Sequence, residues 1–291
     1  MSFKSNQKQS QLDSQIDLTV NKHGRLSEFN RLVYPVVSRR SGGLSLGINL
    51  NPDKKCTFDC VYCQVDRFKE IPDLKPGLMQ VKQELEHWIT LIHKKENQYR
   101  GFPLKDIAIA GDGEPTTVSN LPGVMKLMME LRLKYHLDDA KLVLFTNGSN
   151  IDRLDLNAVL PDFFDNNGEV WFKLDYWDQA SLTRINRTKV SFERMIRNLK
   201  GVGSQYPLVL QSCFFSWEGE LYKDSIYENY IAMILKVLEK GTQIDRIQAY
   251  TLARTPAEEK AKPWPDADMD NLVTFMKNRL PLKIEKYYAN G

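Results

Sequence analysis

From Leu44 onward, short apolar and β-branched runs alternate with longer stretches whose apolar residues recur three and four apart. The runs read as strands over 44–50, 106–110, 141–145, 170–174, 208–214 and 246–250. The stretches between them read as amphipathic helices. Val81, Leu85, Trp88 and Ile92 share one face, as do Val124, Leu127, Met128, Leu131 and Tyr135. Tyr227, Ile231, Ile234 and Leu238 make a third face, and Leu272, Phe275, Met276 and Leu280 a fourth. A short strand over 282–288 follows the last helix. Strands alternating with helices build βα units on a parallel sheet. Six strands within about 210 residues predict an α/β fold of the partial (βα)6, TIM-like barrel type, since the closed eightfold form takes about 250.

Residues 1–27 break the pattern. They are rich in Ser, Gln, Asn and Lys and poor in large apolar groups, so they cannot bury enough surface to offset the entropy of ordering. We expect a mobile polar arm there and a single barrel domain over 28–291. The segment 70–77, with Pro72 and Pro76, is a long loop that reads as a lid or as a simple span.

Charge changes the picture little. Forty Lys and Arg stand against 37 Asp and Glu, a net charge of +3, which permits a nucleic-acid partner without arguing for one. Arg31, Arg39, Arg40, Lys54 and Lys55 form either a solvated face or an anion contact. No apolar run has the length of a membrane span and no signal-peptide core opens the chain, so a cytoplasmic protein without a membrane partner is expected. Four cysteines, three of them in one loop, do not form the spaced framework of a secreted disulfide protein.

Those three are Cys56, Cys60 and Cys63, in the order C-x-x-x-C-x-x-C directly after the first strand. A closed zinc site needs a fourth ligand, and only the remote Cys213 or a distant His could supply it. A disulfide with one spare thiol also fits the spacing. An iron-sulfur cluster on three thiols leaves one iron open.

In parallel α/β folds the site lies at the carboxyl ends of the strands, and the unusual residues of this chain fall there. After the second strand come Gly111, Asp112, Gly113 and Glu114, a turn in which the backbone can approach a ligand and a carboxylate can accept from an ammonium. After the third come Thr146, Asn147, Gly148 and Ser149, a common turn composition. After the fourth, Asp175 precedes a helix ending at Asn186 and Arg187, residues equally suited to capping that helix. Side chains two apart on a strand share a face. Trp171, Lys173 and Asp175 therefore point together, as do Gln211 and Cys213, and Gln248, Tyr250, Leu252 and Arg254. A buried Lys173 needs Asp175 or Glu114 as partner, either as a structural ion pair or as part of a substrate site. Cys213 reads as a small buried apolar group or as a second functional thiol.

The cysteine spacing, with Tyr62 before the third thiol, resembles the signature of the radical S-adenosylmethionine (SAM) superfamily. That resemblance implies a [4Fe-4S] cluster on Cys56, Cys60 and Cys63, whose open iron is chelated by SAM. An electron from a donor such as flavodoxin or ferredoxin then cleaves SAM to a 5′-deoxyadenosyl radical. Gly111, Gly113 and Glu114 resemble the motif that binds the SAM amino group. By the same resemblance Thr146, Asn147, Ser149 and Asn186 become SAM contacts, and the adenine lies near Tyr62. Together with residues 45–52 and 250–257, these motifs look like bacterial radical SAM proteins related to the tRNA wyosine-synthesising enzymes, which makes a tRNA base one substrate class. The first 55 residues contain no Cys, so the second cluster of those enzymes is not expected. A small metabolite or peptide stays open as substrate, as does an iron-sulfur or zinc sensor without turnover. The residues placed over the substrate are Lys173, Asp175, Gln211, Cys213 and Arg254.

Overall fold

In the computed structural model the described residues are 31–67, 76–93, 103–219 and 224–289. The polar arm and most of the 70–77 loop lie outside them. The six predicted strands are present as β2 (Gly43–Ile48), β3 (Leu104–Ile109), β4 (Lys141–Thr146), β5 (Gly168–Lys173), β6 (Leu208–Cys213) and β8 (Ile244–Tyr250). They run parallel in that order, and β10 (Lys283–Tyr287) adds a seventh parallel strand beside β8. This is the curled, open barrel that the alternation of elements predicts.

One strand of the sheet was not foreseen. The outermost, β1 (Val33–Ser38), pairs antiparallel with β2 and sets Tyr34 opposite Gly47 and Pro35 opposite Leu46. Pro35 withholds a ladder donor, which argues against a central strand but costs nothing at a sheet edge. A separate two-stranded ribbon, β7 (Phe215–Trp217) with β9 (Ala261–Pro263), also escapes the pattern because each strand is so short.

Helices α1 (Leu78–His93), α2 (Leu121–Lys134), α7 (Asp224–Leu238) and α8 (Asp266–Lys277) match the four predicted faces. Between α2 and α7 lie α3 (Leu154–Asn157), α4 (Leu160–Asp165), α5 (Gln179–Asn186) and α6 (Phe192–Gly203). The α5 helix begins with a reciprocal cap between Asp178 and Ser181. It ends at Arg187, whose left-handed backbone (φ 43°) turns the chain back toward the cysteine loop. Buried side chains such as Trp88, Leu85, Met128 and Met276 join the helices to the outer face of the sheet. Among the described residues, no helix is long and apolar enough to cross a membrane.

The inner face is built in tiers, as the register dictates. At the floor Arg246 meets Glu169 at 2.7 Å and Glu285 at 3.2 Å, and Lys141 also pairs with Glu169. Above them Ala108, Val143, Trp171 and Val209 make a small apolar plug, with Phe145 packed against it. Opposite one another on the next tier stand Lys173, Gln211 and Gln248, the polar face expected from strand parity. No ladder joins β10 to β1. That seam is crossed by side chains: Arg39 donates to the Tyr288 carbonyl and, at 3.4 Å, to that of Ala289, while the Tyr287 hydroxyl donates to the Arg40 carbonyl at 3.4 Å.

Candidate active site

The three loop thiols sit where four chain segments meet at the strand ends. The Glu114 amide donates to the Lys55 carbonyl at 2.9 Å, joining the glycine turn to the residue before Cys56. This approach needs glycine: a Cβ on Gly113 would lie 1.9 Å from that carbonyl oxygen. Asn147 donates to the Thr57 hydroxyl at 2.9 Å, and Ser149 shares a hydrogen bond with the same hydroxyl at 2.7 Å. From the end of α5, the Ile185 and Asn186 carbonyls accept from Val61 and Asp59 at 2.9 and 2.8 Å. The Ala257 amide closes the ring on the Cys63 carbonyl at 2.8 Å. The residues that sequence spacing could only set in a list are thus bound to one loop.

A cavity of about 350 Å³ opens beneath that loop and runs down into the barrel. Cys56, Cys60, Tyr62 and Cys63 border it on one side, and Gly111, Gly113, Glu114, Thr146 and Asn147 on the other. Lys173 and Gln211 border its deeper part, and Arg254, whose carbonyl accepts from Gln64 at 3.1 Å, borders it beside the cysteine loop. Four predicted site residues stand one step behind the wall. Ser149 acts through Thr57, and Asn186 donates to the Cys60 sulfur at 3.2 Å. Asp175 accepts from the Tyr62 hydroxyl and, at 2.6 Å, from the Cys213 amide. Cys213 itself packs with Val61, Tyr62, Ile185, Phe215 and Leu252 in an apolar cluster, and burial pushes its thiol far up.

Glu114 is more committed than the sequence suggests. Its Oε1 accepts from the Thr116 amide at 3.1 Å and from the hydroxyls of Thr116 and Thr146 at 2.6 and 2.5 Å. Its Oε2 takes one donor, the Asn147 amide at 2.7 Å. Burial raises its pKa even though all these bonds favour the carboxylate. Lys173 lies 3.5 Å from Asp175 and donates to the Tyr250 hydroxyl. Burial opposes its charge, but Asp175 and Tyr250 prevail and hold its pKa above the ordinary lysine value.

Among the described residues, no three His, Cys, Asp or Glu side chains converge as a ready cage for a single metal ion. A cluster of several irons is wider than one ion, so its thiols need only face a common space. Cys56, Cys60 and Cys63 do so, bordering together both this cavity and a second, outer one of about 1130 Å³. Burial pushes Cys56 up to about 11, with Glu114 adding to the rise, and Cys60 up to about 12. Such thiols become thiolates when a positive centre binds them. Nitrogen donors are already in place on the sulfurs: the Phe58 amide lies 3.4 Å and Asn147 Nδ2 3.8 Å from Cys56, besides Asn186 on Cys60. The donor set fits an iron-sulfur cluster.

Sequence reasoning gave no role of their own to Asn49, Thr57 and Arg67. Asn49 is buried and shapes the glycine turn, accepting from the Asp112 amide at 3.1 Å and donating to its carboxylate at 2.6 Å. Arg67 ties the loop to itself through the Lys54 and Phe58 carbonyls at 2.9 and 3.1 Å. Only its position four residues past Cys63 could have signalled it.

No protein-family model matches the chain. Over 279 residues, 92% of its length, it is 27% identical to a Brachyspira hyodysenteriae protein named GTPase Obg, and the match spans 36% of that protein. The nucleotide-loop pattern G-x-x-x-x-G-K-[ST] does not occur in the present sequence. Over 242 residues, 79% of its length, the chain is 27% identical to a UPF0026 protein of Methanocaldococcus jannaschii, of which it spans 65%. The chain therefore covers less than two thirds of either relative. Among solved structures, a radical SAM methyltransferase from Sphaerobacter thermophilus superposes with a TM-score of 0.57 at 13% identity, over 88% of this chain and 77% of that one. The chain shares that fold, and it resembles the radical SAM superfamily in both architecture and cysteine signature.

Proposed function

We propose that this protein is a radical SAM enzyme, with a [4Fe-4S] cluster on Cys56, Cys60 and Cys63. One observation carries the reading: the glycine turn, the 146–149 loop, the end of α5 and the segment just after Arg254 are all bonded to one loop, whose three thiols border a single cavity. When bound, the cluster and SAM supply the electron and the 5′-deoxyadenosyl radical that removes a hydrogen atom from substrate.

The chain's own groups do the positioning. Glu114 locks the two loops that would hold the amino-acid part of SAM, and its Oε2, with a single protein donor, retains room for an ammonium. Asn147 and Asn186 direct N–H groups at the cluster sulfurs. The Tyr62 ring, fixed by Asp175 and by Phe215 at 5.1 Å, forms a wall for the adenine. Lys173, Gln211 and Arg254 face the substrate, while Asp175 holds Lys173 and Tyr62 in place. Cys213 supports that wall from behind. An electron donor of flavodoxin or ferredoxin type would approach through the outer cavity, which Arg67, Arg187, Lys189 and Arg194 border. The narrower sequence resemblance offers a tRNA base as substrate, and binding of RNA through its phosphates would weaken steeply with added salt.

The test is anaerobic reconstitution with iron and sulfide, reduction with dithionite, and measurement of 5′-deoxyadenosine formed from SAM. Formation should need all three thiols, and Cys56→Ala should lose both cluster and cleavage. A protein filled with reducible iron that never cleaves SAM would overturn the reading.

A further inference from the structure

Among the described residues, four cationic side chains of the barrel have partners of their own. Arg246 has Glu169, Asp245 and Glu285; Lys141 has Glu169; Lys173 has Asp175 and Tyr250; Arg39 has the carbonyls of Tyr288 and Ala289. Arg40, from the turn between β1 and β2, borders the cavity with its guanidinium 5.6 Å from the Phe145 ring centre and 4.9 Å from that of Tyr250. Among the described residues no acceptor meets its N–H groups. Asp106 is the acid whose charge interacts with it, yet Asp106 Oδ1 accepts from Ser45 and its buried Oδ2 has no hydrogen-bond partner. The guanidinium is thus held by aromatic rings while its planar fork of donors goes unused.

A second unused donor lies behind Gln211, one strand over. Gln248 is fully buried, its Oε1 accepts from Gln211 at 2.7 Å, and its Nε2 has no partner. Asp175 pairs with Lys173, whereas Arg40 has only the through-space charge of Asp106 and no acceptor on its fork of donors. A neutral base seated at Arg40 would cover the guanidinium without engaging its fork of donors, with the phosphates of its RNA outside the barrel. A ligand carrying its own anion at the deep end would satisfy it. The space is about 350 Å³ and must also receive SAM, which limits the ligand's size.

We infer that the substrate is a compact organic acid whose oxyanion, a carboxylate or a phosphate, seats on Arg40. Its role as substrate rests on the reaction proposed above; the oxyanion seat does not.

The test uses cluster-loaded protein with SAM under anaerobic conditions. Acetate and glycerol 3-phosphate are titrated alongside their neutral counterparts acetamide and glycerol, with binding read by ligand-observed NMR. At least one acid should bind and its neutral counterpart should not. Binding of acetate alone marks a carboxylate seat, and binding of glycerol 3-phosphate alone a phosphate seat. Arg40→Gln should weaken the bound acid by about tenfold or more, the usual worth of a charge-assisted hydrogen bond, and Arg40→Lys should retain part of the affinity. The comparison of acid with neutral isostere is made on the unaltered protein, so it stands even where a variant fails to fold. Equal binding of acids and neutral isosteres would overturn the seat. So would a folded Arg40→Gln protein with unchanged acid affinity, or tRNA stimulating SAM cleavage while no small acid binds. Acid binding without any SAM cleavage would retire the proposed reaction and leave the seat standing.

Discussion

Replacing Asp106 by Asn should remove one sizeable contribution to the pH dependence of stability between about pH 4 and pH 7. Asp106 is 2% exposed on the inner face of β3, with one oxygen on Ser45 and the other without a partner. Burial lifts its pKa from the ordinary 3.8 to about 6, against the opposing pull of Ser41 and Ser45. A carboxyl that titrates higher in the folded chain keeps a proton that the unfolded chain has already released. Stability therefore falls as pH rises from about 4 to about 6, and the loss is complete above that window. The span from 3.8 to about 6 is worth about 3 kcal/mol. Asn is neutral throughout and keeps the Ser45 bond, but sets an amide nitrogen in the unpartnered position, a cost of about 1–3 kcal/mol at every pH. That constant cost cancels when two pH values are compared. Urea unfolding of both proteins near pH 4 and near pH 7.5 should show the variant gaining about 3 kcal/mol relative to the parent between the two. A gain below about 0.5 kcal/mol, the range of an ordinary surface change, would refute the reasoning and mean that the serine donors and Arg40 offset the burial of Asp106.

Gly113→Ala must push the glycine turn away from the Lys55 carbonyl, so it should cost about 1–3 kcal/mol and lower iron uptake by the adjacent Cys56. Urea midpoints and iron analysis would check it, and an unaltered protein would disprove the close approach. Asn186→Ala removes the N–H donor to the Cys60 sulfur together with an Oδ1 that is buried without a partner, so its stability cost should stay near or below about 1 kcal/mol. Iron content should hold while the cluster potential moves to more negative values, read by redox titration with EPR.

The parallel strands, four helices and the polar inner face were legible because each rests on a period of 2 or 3.6 in the apolar pattern. Lys173 pairs with Asp175 and not with Glu114, a choice that parity left open and that the fold decides, since Glu114 is engaged by Thr116, Thr146 and Asn147. The α6 helix carried a readable signal in Met195, Leu199 and Val202, spaced four and three apart, and was not foreseen. β1 was hidden for a different reason, because Pro35 is tolerated only through the strand's edge position, which is a property of the assembled sheet. Thr57 and Asn49 could not be read at all. A single threonine or asparagine in a loop has no period, and its importance comes only from partners about 60 to 90 residues away.

The seam between β1 and β10 sets where this molecule first comes apart. Every other neighbouring pair of strands in the main sheet is laced by a ladder of backbone hydrogen bonds, whereas here the closure consists of Arg39 and the Tyr287 hydroxyl on three carbonyls. Among the described residues, parting it breaks no ladder, so its opening belongs at the low-energy end of the protein's fluctuations. Amides flanking the seam should exchange with solvent well before those of β4 and β5. Arg40 stands on that same turn, so an excursion of the turn would carry its unengaged guanidinium with it. The barrel's weakest boundary and its free fork of donors thus belong to one piece of chain.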